Sequence, residues 1–424
     1  MMKKLFSLVF ILIFSLVFSG CSGGSSSGSN KEKTGGEVTI WATNINVPVL
    51  KKAAEEYKKD HPDFQLNVVE MANDDIRSKV ITGLQAGGQG LPDAALLVDD
   101  GIQGYLDKFE ESFVNLSDKG FDDHAKDFPK YKLDSVTKDG KIYAMPFDAG
   151  PVGVFYRKDI FEKAGVDGTK IENWDDFLAA GKKIKEKTGA AMLSYDTNDS
   201  TVYTILLSQQ GLGYFDENGN TTLGSAESIK VSTLLQDLAK NDLLLGTPGW
   251  NAWVASLSEG KTATAIAGAW LIGTLQQQMP DLAGKWDVMM LPAFENGGSR
   301  YANQGGSSFA IFSQSKNIDE TYKFLEYFTT NFEMQELAME GGLFPSYLPV
   351  YESELFSKPV QYFNNQPVWK VFADAMDKIP SVQYSENDAV ARDEVIKSQA
   401  GVVNGTDVKD SLEKAKNRVE NRIK

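Results

Sequence analysis

The sequence predicts an α/β fold whose sheet is largely parallel. Short apolar runs with strand character alternate with segments whose apolar residues repeat at helical spacing. The alternation starts in the first segment predicted to fold and is repeated along the chain. Strand–helix–strand repetition of this kind favours parallel strands that are joined by crossover helices.

The first third of the chain shows this pattern most clearly. Residues 37–42 are predicted to form a buried strand, and residues 48–61 a helix with one apolar face that ends before Pro62. The next predicted elements are an alternating strand over 64–70, a helix over 74–86 and a third strand over 92–99.

The first 36 residues predict an exported chain that carries a lipid anchor. Two lysines precede the apolar run Leu5–Phe18, which is shorter than the roughly 20 residues a membrane span needs, so residues 1–20 are predicted to be a signal peptide. Cys21 follows small residues and resembles the acylated cysteine of a bacterial lipoprotein signal. Residues 21–36 are then a lipidated cysteine and a flexible linker. The alternative is an ordinary signal peptide with an incidental cysteine.

Composition restricts the classes of partner. The formal net charge is -15, which disfavours nucleic acid and anionic lipid surfaces. A single cysteine and two histidines, His61 and His124, exclude a disulfide framework and a thiolate or histidine metal site. We therefore expect no cofactor and no metal, although a carboxylate-only calcium site stays open.

Polar or aromatic residues follow each predicted strand of the first third. Open α/β sheets bind ligands at the carboxyl ends of their strands, which makes these residues candidate ligand contacts. They are Trp41, Asn44, Glu70, Asp99 and Asp100. The competing interpretation is ordinary turn chemistry for the polar residues and core packing for Trp41.

Residues 139–165 read as a turn, an extended run through a Pro/Gly-rich break, a second strand and the start of a helix. A break of this kind is where one lobe of a protein can hand over to another. Further along, the recognisable stretches are Asn173–Phe177, which is predicted to cap a helix, Ser258–Trp270, Gly305–Ile311 and the closing amphipathic segment Gly401–Lys424.

In this order, these motifs resemble those of the family 1 bacterial extracellular solute-binding proteins, the maltose-binding-like group that serves ABC sugar importers. The resemblance spans the whole chain after the signal peptide. It implies a periplasmic-binding-protein-like fold of type II, with two α/β lobes, a hinge and a ligand cleft. Lobe 1 would comprise residues 37–147 plus about 307–352, and lobe 2 residues 148–306 plus about 353–424.

The resemblance implies a binding protein rather than an enzyme. It would capture a sugar by cleft closure on the outer face of the cell membrane and deliver it to the permease subunits. A Gram-positive surface is favoured and a periplasmic location stays open. We expect a monomer that is attached to the membrane through the lipid anchor.

A sugar site needs aromatic rings for the apolar ring faces and polar groups for the hydroxyls. Trp250, Trp253 and Trp270 cluster in sequence within the second lobe, and Trp270 matches the family position whose aromatic ring stacks on sugar. Three tryptophans favour an oligosaccharide.

Polar candidates complete the predicted site. They are Asp148 beside the crossover, Tyr195 and Asp196 after a strand of the second lobe, and the glycine pair Gly305 and Gly306, which lets the backbone approach a ligand or acts as a simple hinge.

Two other functions fit parts of the pattern. A secreted glycoside hydrolase needs two carboxylates about 5–9 Å apart, and Asp99 with Asp100, or Asp148 with Asp196, are the pairs available. A binding protein of the same fold for a non-sugar solute is the other alternative. An anionic solute would require a cluster of Arg or Lys, which the strand-end loops almost entirely lack, so a neutral polyol is favoured.

Overall fold

The computed structural model describes residues 37–424, so the predicted signal peptide, Cys21 and the linker lie outside the described residues. The strands are β1 (Val38–Ala42), β2 (Leu66–Glu70), β3 (Ala94–Val98), β4 (Thr137–Lys138), β5 (Lys141–Ile142), β6 (Ala144–Arg157), β7 (Ala191–Asp196), β8 (Leu244–Thr247), β9 (Thr262–Gly268), β10 (Trp286–Met289) and β11 (Asn303–Ile311).

The helices are α1 (Asn46–Tyr57), α2 (Asn73–Gln85), α3 (Asp99–Phe109), α4 (Lys130–Val136), α5 (Lys158–Ala164), α6 (Trp174–Thr188), α7 (Thr201–Ser208), α8 (Ala226–Lys240), α9 (Trp250–Ser258), α10 (Leu271–Gln278), α11 (Ile318–Thr330), α12 (Phe332–Glu340), α13 (Glu354–Ser357), α14 (Val368–Ala373), α15 (Asp388–Val403) and α16 (Val408–Arg422). Within residues 37–424, none of these helices is long and apolar enough to cross a membrane.

The α/β prediction is confirmed, and the sheet consists of two parallel groups. Its strand order is β2-β1-β3-β11-β6-β9-β7-β8, with β10 also paired to β6. Strands β2, β1 and β3 run parallel, as do β9, β7 and β8. The two central strands, β11 and β6, run antiparallel to their neighbours.

The early elements form where the sequence predicts them, with ends shifted by a few residues. β1 alternates buried and half-buried side chains, and α1 buries the predicted apolar face, from Val49 to Tyr57. The predicted cap of α6 is a reciprocal one: the Asn173 side chain accepts from the Asp176 N–H, and the Asp176 carboxylate accepts from the Asn173 N–H.

The sequence predicts a break in the chain's strand structure near residue 150. This prediction is wrong, because a single strand continues through that position. β6 is one strand of 14 residues. Its first half pairs with β11 and its second half with β9 and β10. Gly150 is required there because a Cβ at this position would lie 1.9 Å from the carbonyl oxygen of Gln304.

The two halves of the sheet have separate hydrophobic clusters. One surrounds β1 and β3 and includes Phe309 and Phe328, and another surrounds β7 and includes Phe177 and Leu235. A third cluster around Trp286 flanks the second half of β6. The fold therefore has two α/β lobes that share β6 and β11.

Candidate ligand-binding site

A cavity of about 680 Å³ opens beside the start of β11. One wall is a face of α3 that includes Tyr105, and another is the start of α7 with Tyr214 beyond it. The segment that leads into α15, with Tyr384, forms a third wall, and Asn303–Gly305 lie at the base. The cavity thus combines tyrosine rings with hydroxyl, amide and carboxyl groups.

Most of the charges in this cavity are paired within the protein. The guanidinium of Arg77 lies 3.0 Å from the carboxylate of Asp100, and Lys108 forms an ion pair with Glu386. Asp199 accepts hydrogen bonds from the backbone N–H and the hydroxyl of Thr201, at 2.9 and 3.1 Å. The cavity therefore offers mainly neutral polar groups and compensated charges to a ligand.

Asp388 is the exception among the carboxyl groups of the cavity. One carboxyl oxygen accepts from the Ser385 N–H at 3.2 Å, whereas Oδ1 is buried and has no hydrogen-bond partner among the described residues. Burial raises the pKa of Asp388 to about 7, and the nearby Asp100 adds to the rise. Arg392, one turn later on α15, also lines the cavity.

The tryptophan cluster, Trp250, Trp253 and Trp270, lies at the carboxyl ends of β8 and β9. The ring centroids of Trp250 and Trp253 are 5.3 Å apart, and those of Trp250 and Trp270 are 6.0 Å apart. Trp253 is buried, but Trp250 and Trp270 are 44% and 37% exposed. Two large rings are therefore held in place with part of their surface available for stacking.

Asp196 holds the loop that presents Trp250. Its Oδ1 accepts hydrogen bonds from the N–H groups of Asn198 and Gly249, at 2.9 and 2.8 Å. Gly249 directly precedes α9, whose first residue is Trp250. The structure thus places Asp196 beside the residue that precedes α9, while the neighbouring Tyr195 is buried in the core of the second lobe.

Gln304 connects the tryptophan cluster with the cavity. Gln304 is one of the residues that line the cavity, and its side-chain Oε1 accepts from the Gly268 N–H at 2.9 Å. Gly268 in turn lies against the indole of Trp270, where a Cβ would be 2.6 Å from Nε1. Trp250, Trp253 and Trp270 are themselves outside the lining of the cavity, and Gln304 is the residue that links the two regions.

A buried network lies where α3, α4, β6 and β11 meet. Lys132 is fully buried, forms an ion pair with Asp99, and donates to the carbonyl oxygens of Asp148 and Ser307, at 2.8 and 3.1 Å. The Ser308 hydroxyl donates to the second carboxylate oxygen of Asp99 at 2.7 Å. Lys132 thus connects β6 and β11 to the first residue of α3.

The predicted site residues Asp148 and Gly306 also belong to this network. The carboxylate of Asp148 accepts from the Ser307 N–H at 2.6 Å, and burial raises the pKa of Asp148 to about 6. At Gly306, with φ +98°, a Cβ would lie 2.9 Å from the Asp148 carbonyl oxygen and 3.0 Å from a carboxylate oxygen of Asp99. Gly305 lies on the cavity side.

The remaining strand-end candidates of the first lobe are outside the lining of the cavity. Trp41 is half-buried and lines a separate, shallow depression with Leu91 and Gln314. Asn44 is exposed, and its side chain accepts from the Ile45 N–H at 2.7 Å. Glu70 is exposed at the end of β2. Of the five first-lobe candidates, only Asp100 lines the cavity.

No group of three or more His, Cys, Asp or Glu residues within 37–424 is arranged to hold a metal ion. The residues that sequence reasoning missed are Tyr105, Tyr214, Tyr384 and Asp388. They lie on helices or on irregular segments, so the strand-end rule gave no signal for them.

The chain is similar in sequence to known solute-binding proteins. Residues 52–364 match the family model described as bacterial extracellular solute-binding protein. A lactose-binding protein of Rhizobium radiobacter is 35% identical over 397 residues, which cover 92% of this chain and 93% of the relative. An arabinooligosaccharide-binding protein of Bacillus subtilis (strain 168) is 30% identical, with 87% of this chain and 88% of the relative covered.

Solved structures of similar proteins have the same fold as this chain. A crystal structure of an extracellular solute-binding protein of family 1 matches with a TM-score of 0.80 and 25% identity, covering 91% of this chain and 99% of that one. An ABC transporter associated binding protein from B. animalis subsp. lactis Bl-04, in complex with beta-1,6-galactobiose, matches with a TM-score of 0.72 and 27% identity. This match covers 91% of this chain and 97% of that one.

Proposed function

The chain belongs to the family of bacterial extracellular solute-binding proteins, and we propose that it captures a carbohydrate, with an oligosaccharide favoured, and delivers it to the permease of an ABC importer. The observation that carries this proposal is the tryptophan cluster next to a polar, tyrosine-lined cavity. Exposed indole rings suit the apolar faces of sugar rings, and hydroxyl, amide and carboxyl groups suit the hydroxyls.

The charge pattern supports a neutral ligand. Arg77 and Lys108 are paired with carboxylates, so they do not form the unopposed basic cluster that an anionic solute requires. Relatives that bind lactose and arabinooligosaccharides point to the same class of ligand.

We place the lobe boundaries as the sequence predicts them, at 37–147 plus about 307–352 and at 148–306 plus about 353–424. The separate hydrophobic clusters of the two sheet halves support this division. A ligand that contacts both lobes favours the closed form only by its differential affinity for that form. About 5.5 kcal/mol of differential affinity moves the population from almost all open to almost all closed.

A hydrolase is the less supported alternative. Asp99 is engaged by Lys132, Asp100 by Arg77, and both Asp148 and Asp196 accept backbone N–H groups. These carboxylates therefore have structural partners of their own. Incubation with oligosaccharides, followed by chromatography, should recover them uncleaved in stoichiometric complexes, whereas released monosaccharides would favour the hydrolase.

A thermal-shift panel tests the sugar assignment. Lactose, an arabinotriose, beta-1,6-galactobiose and maltotriose are each added in excess, and we expect at least one to raise the melting temperature, because a ligand that binds only the folded state stabilises it. A panel that also includes monosaccharides, a polyamine and a phosphodiester distinguishes the alternatives. A shift with the charged solutes alone would overturn the carbohydrate assignment.

The proposal includes export and anchoring through Cys21 after removal of residues 1–20, on the outer face of the membrane, as a monomer. Labelled fatty acid should be incorporated into the wild-type chain and not into the Cys21→Ala variant. Equal labelling of both chains would contradict the anchor site.

A further inference from the structure

The segment that leads into α15, residues 380–387, which we name the strap, has no regular secondary structure and forms one wall of the cavity. It packs closely against the second lobe. A Cβ at Gly213 would lie only 2.1 Å from the carbonyl oxygen of Gln383. The strap also continues into α15, where Ala391 and Val395 belong to the hydrophobic cluster of the second lobe. It is therefore fixed to that lobe.

The strap also faces the first lobe, where Tyr384 shares a small cavity with Asp99 and Tyr131 and where Glu386 meets α3. Glu386 lies against Gly104 of α3, where a Cβ would be 3.2 Å from the Glu386 Cα and 3.4 Å from its Cβ. One turn later on α3, Lys108 forms an ion pair with Glu386. α3 buries Ile102 and Leu106 in the hydrophobic cluster of the first lobe. This contact therefore joins the two lobes across the edge of the cavity.

The close approach depends on Gly104, because any side chain there would meet the backbone of the strap. The ion pair is exposed at both ends, with 57% and 38% of the two side chains accessible, so it contributes little by itself. Backbone packing at Gly104 is thus the more specific part of the contact.

We propose that the contact of Gly104 and Lys108 with Glu386 is a latch that holds the strap against α3 and must separate before a ligand enters or leaves the cavity. This inference rests on the proposed function, because it assigns the latch to the cavity in which we place the sugar. It predicts that exchange of ligand is controlled at this contact, away from the shared strands β6 and β11.

A disulfide trap tests the latch. The chain has one native cysteine, so the full-length background is Cys21→Ser, to which Gly104→Cys and Glu386→Cys are added. The 3.4 Å between the two Cβ positions is close to the 3.5–4.5 Å typical of disulfides, so we expect the bond to form readily under mild oxidation. Failure of the bond to form would overturn the latch.

Two measurements on the trapped protein decide the proposal. With labelled lactose as the probe, the oxidised form should exchange sugar at least about 100-fold more slowly than the same protein after reduction. By small-angle scattering without sugar, the oxidised form should have the smaller radius of gyration. Equal exchange rates in the oxidised and reduced forms would overturn the latch. If lactose does not bind, equal radii of gyration of the two forms would overturn it instead. If the reduced protein binds no sugar of the thermal-shift panel, the proposed function fails, and the radii still decide the latch.

A matched pair of helix variants gives an independent test. Gly104→Ala inserts a methyl group against the strap, whereas Gly273→Ala in α10 adds the same group where no described atom outside the neighbouring turns of its own helix lies within 4 Å. Both replace a helical glycine by a better helix former. We expect lactose dissociation to accelerate about 3–10-fold in Gly104→Ala alone, with neither variant less heat-stable. Equal dissociation rates in the two variants would contradict the latch.

Discussion

The tryptophan cluster and the buried Lys132 network differ in how much side-chain surface and hydrogen-bonding capacity they leave available to a ligand. Both adjoin the ends of strands, and the sequence predicted ligand contacts in each. Trp250 and Trp270 keep 44% and 37% of their surface exposed. In the network, by contrast, Lys132 is fully buried and both carboxylate oxygens of Asp99 accept hydrogen bonds within the protein.

This difference shows that the position of a residue at a strand end does not decide its role. A group whose bonding capacity is already used inside the protein holds the structure together, because a ligand would have to break those bonds. A group that is exposed, or left partly unpaired, is free to act on a ligand.

Lys132→Met should lower the free energy of unfolding by about 3–5 kcal/mol, because it leaves the carboxylate of Asp99 buried without a counter-charge. Chemical denaturation at neutral pH measures this loss. The double variant Lys132→Met/Asp99→Asn should recover part of it, since the isolated charge is then removed. A loss below about 1 kcal/mol in the single variant would mean that the network is not structural.

Trp270→Ala and Trp250→Ala should each weaken sugar binding by about 2 kcal/mol, roughly 30-fold in Kd, because each removes one stacking surface. Trp41→Ala is the matched control, since Trp41 lines a different depression. Titration calorimetry with the best sugar of the panel measures all three. A Trp41→Ala loss as large as that of Trp270→Ala would contradict the placement of the site.

Asp388→Asn should change how stability depends on pH. The folded-state pKa of Asp388, about 7, lies above its unfolded value of about 3.9, so the folded protein holds this proton more tightly. The resulting stabilisation is fully present below about pH 4 and is lost as pH rises to about 7. Above pH 7, Asp388→Asn should therefore gain about 1–3 kcal/mol relative to wild type, with the advantage shrinking towards pH 4.

Melting temperatures at pH 5 and pH 8 for both proteins check the Asp388 prediction. The difference between variant and wild type should be larger at pH 8. An identical difference at the two pH values would show that Asp388 does not titrate in this range.

Asp100→Asn should have the smallest effect on folding. Asp100 and its partner Arg77 are about 40% exposed, so their ion pair contributes at most about 1 kcal/mol. Denaturation of Asp100→Asn and Asp99→Asn side by side compares two adjacent carboxylates in different surroundings. Equal losses in the two variants would remove the distinction between the cavity and the buried network.

Much of the fold could be predicted because it follows from periodicity. The strands and helices from β1 to β3 and the cap of α6 are local patterns, and the structure confirms them. The continuity of β6 could not be predicted, because Gly150 and Pro151 look like a break until Gln304 is placed against Gly150.

Fewer residues of the cavity and of the buried network could be predicted from the sequence. Lys132 lies on a helix, where a lysine is ordinarily solvated, and nothing local shows that it reaches Asp99. Tyr384 lies on an irregular segment far along the chain, and Asp388 is the first residue of the helix that follows it. Their roles depend on tertiary contacts, which a single sequence does not display.

A crystal structure with the best sugar of the panel would show where the ligand lies. We expect electron density for sugar rings against the faces of Trp250 and Trp270, extending past Gln304 into the tyrosine-lined cavity, with the ion pair of Asp99 and Lys132 intact and not in contact with the sugar. Sugar bound in the depression beside Trp41, or bonded to Asp99 in place of Lys132, would contradict this expectation.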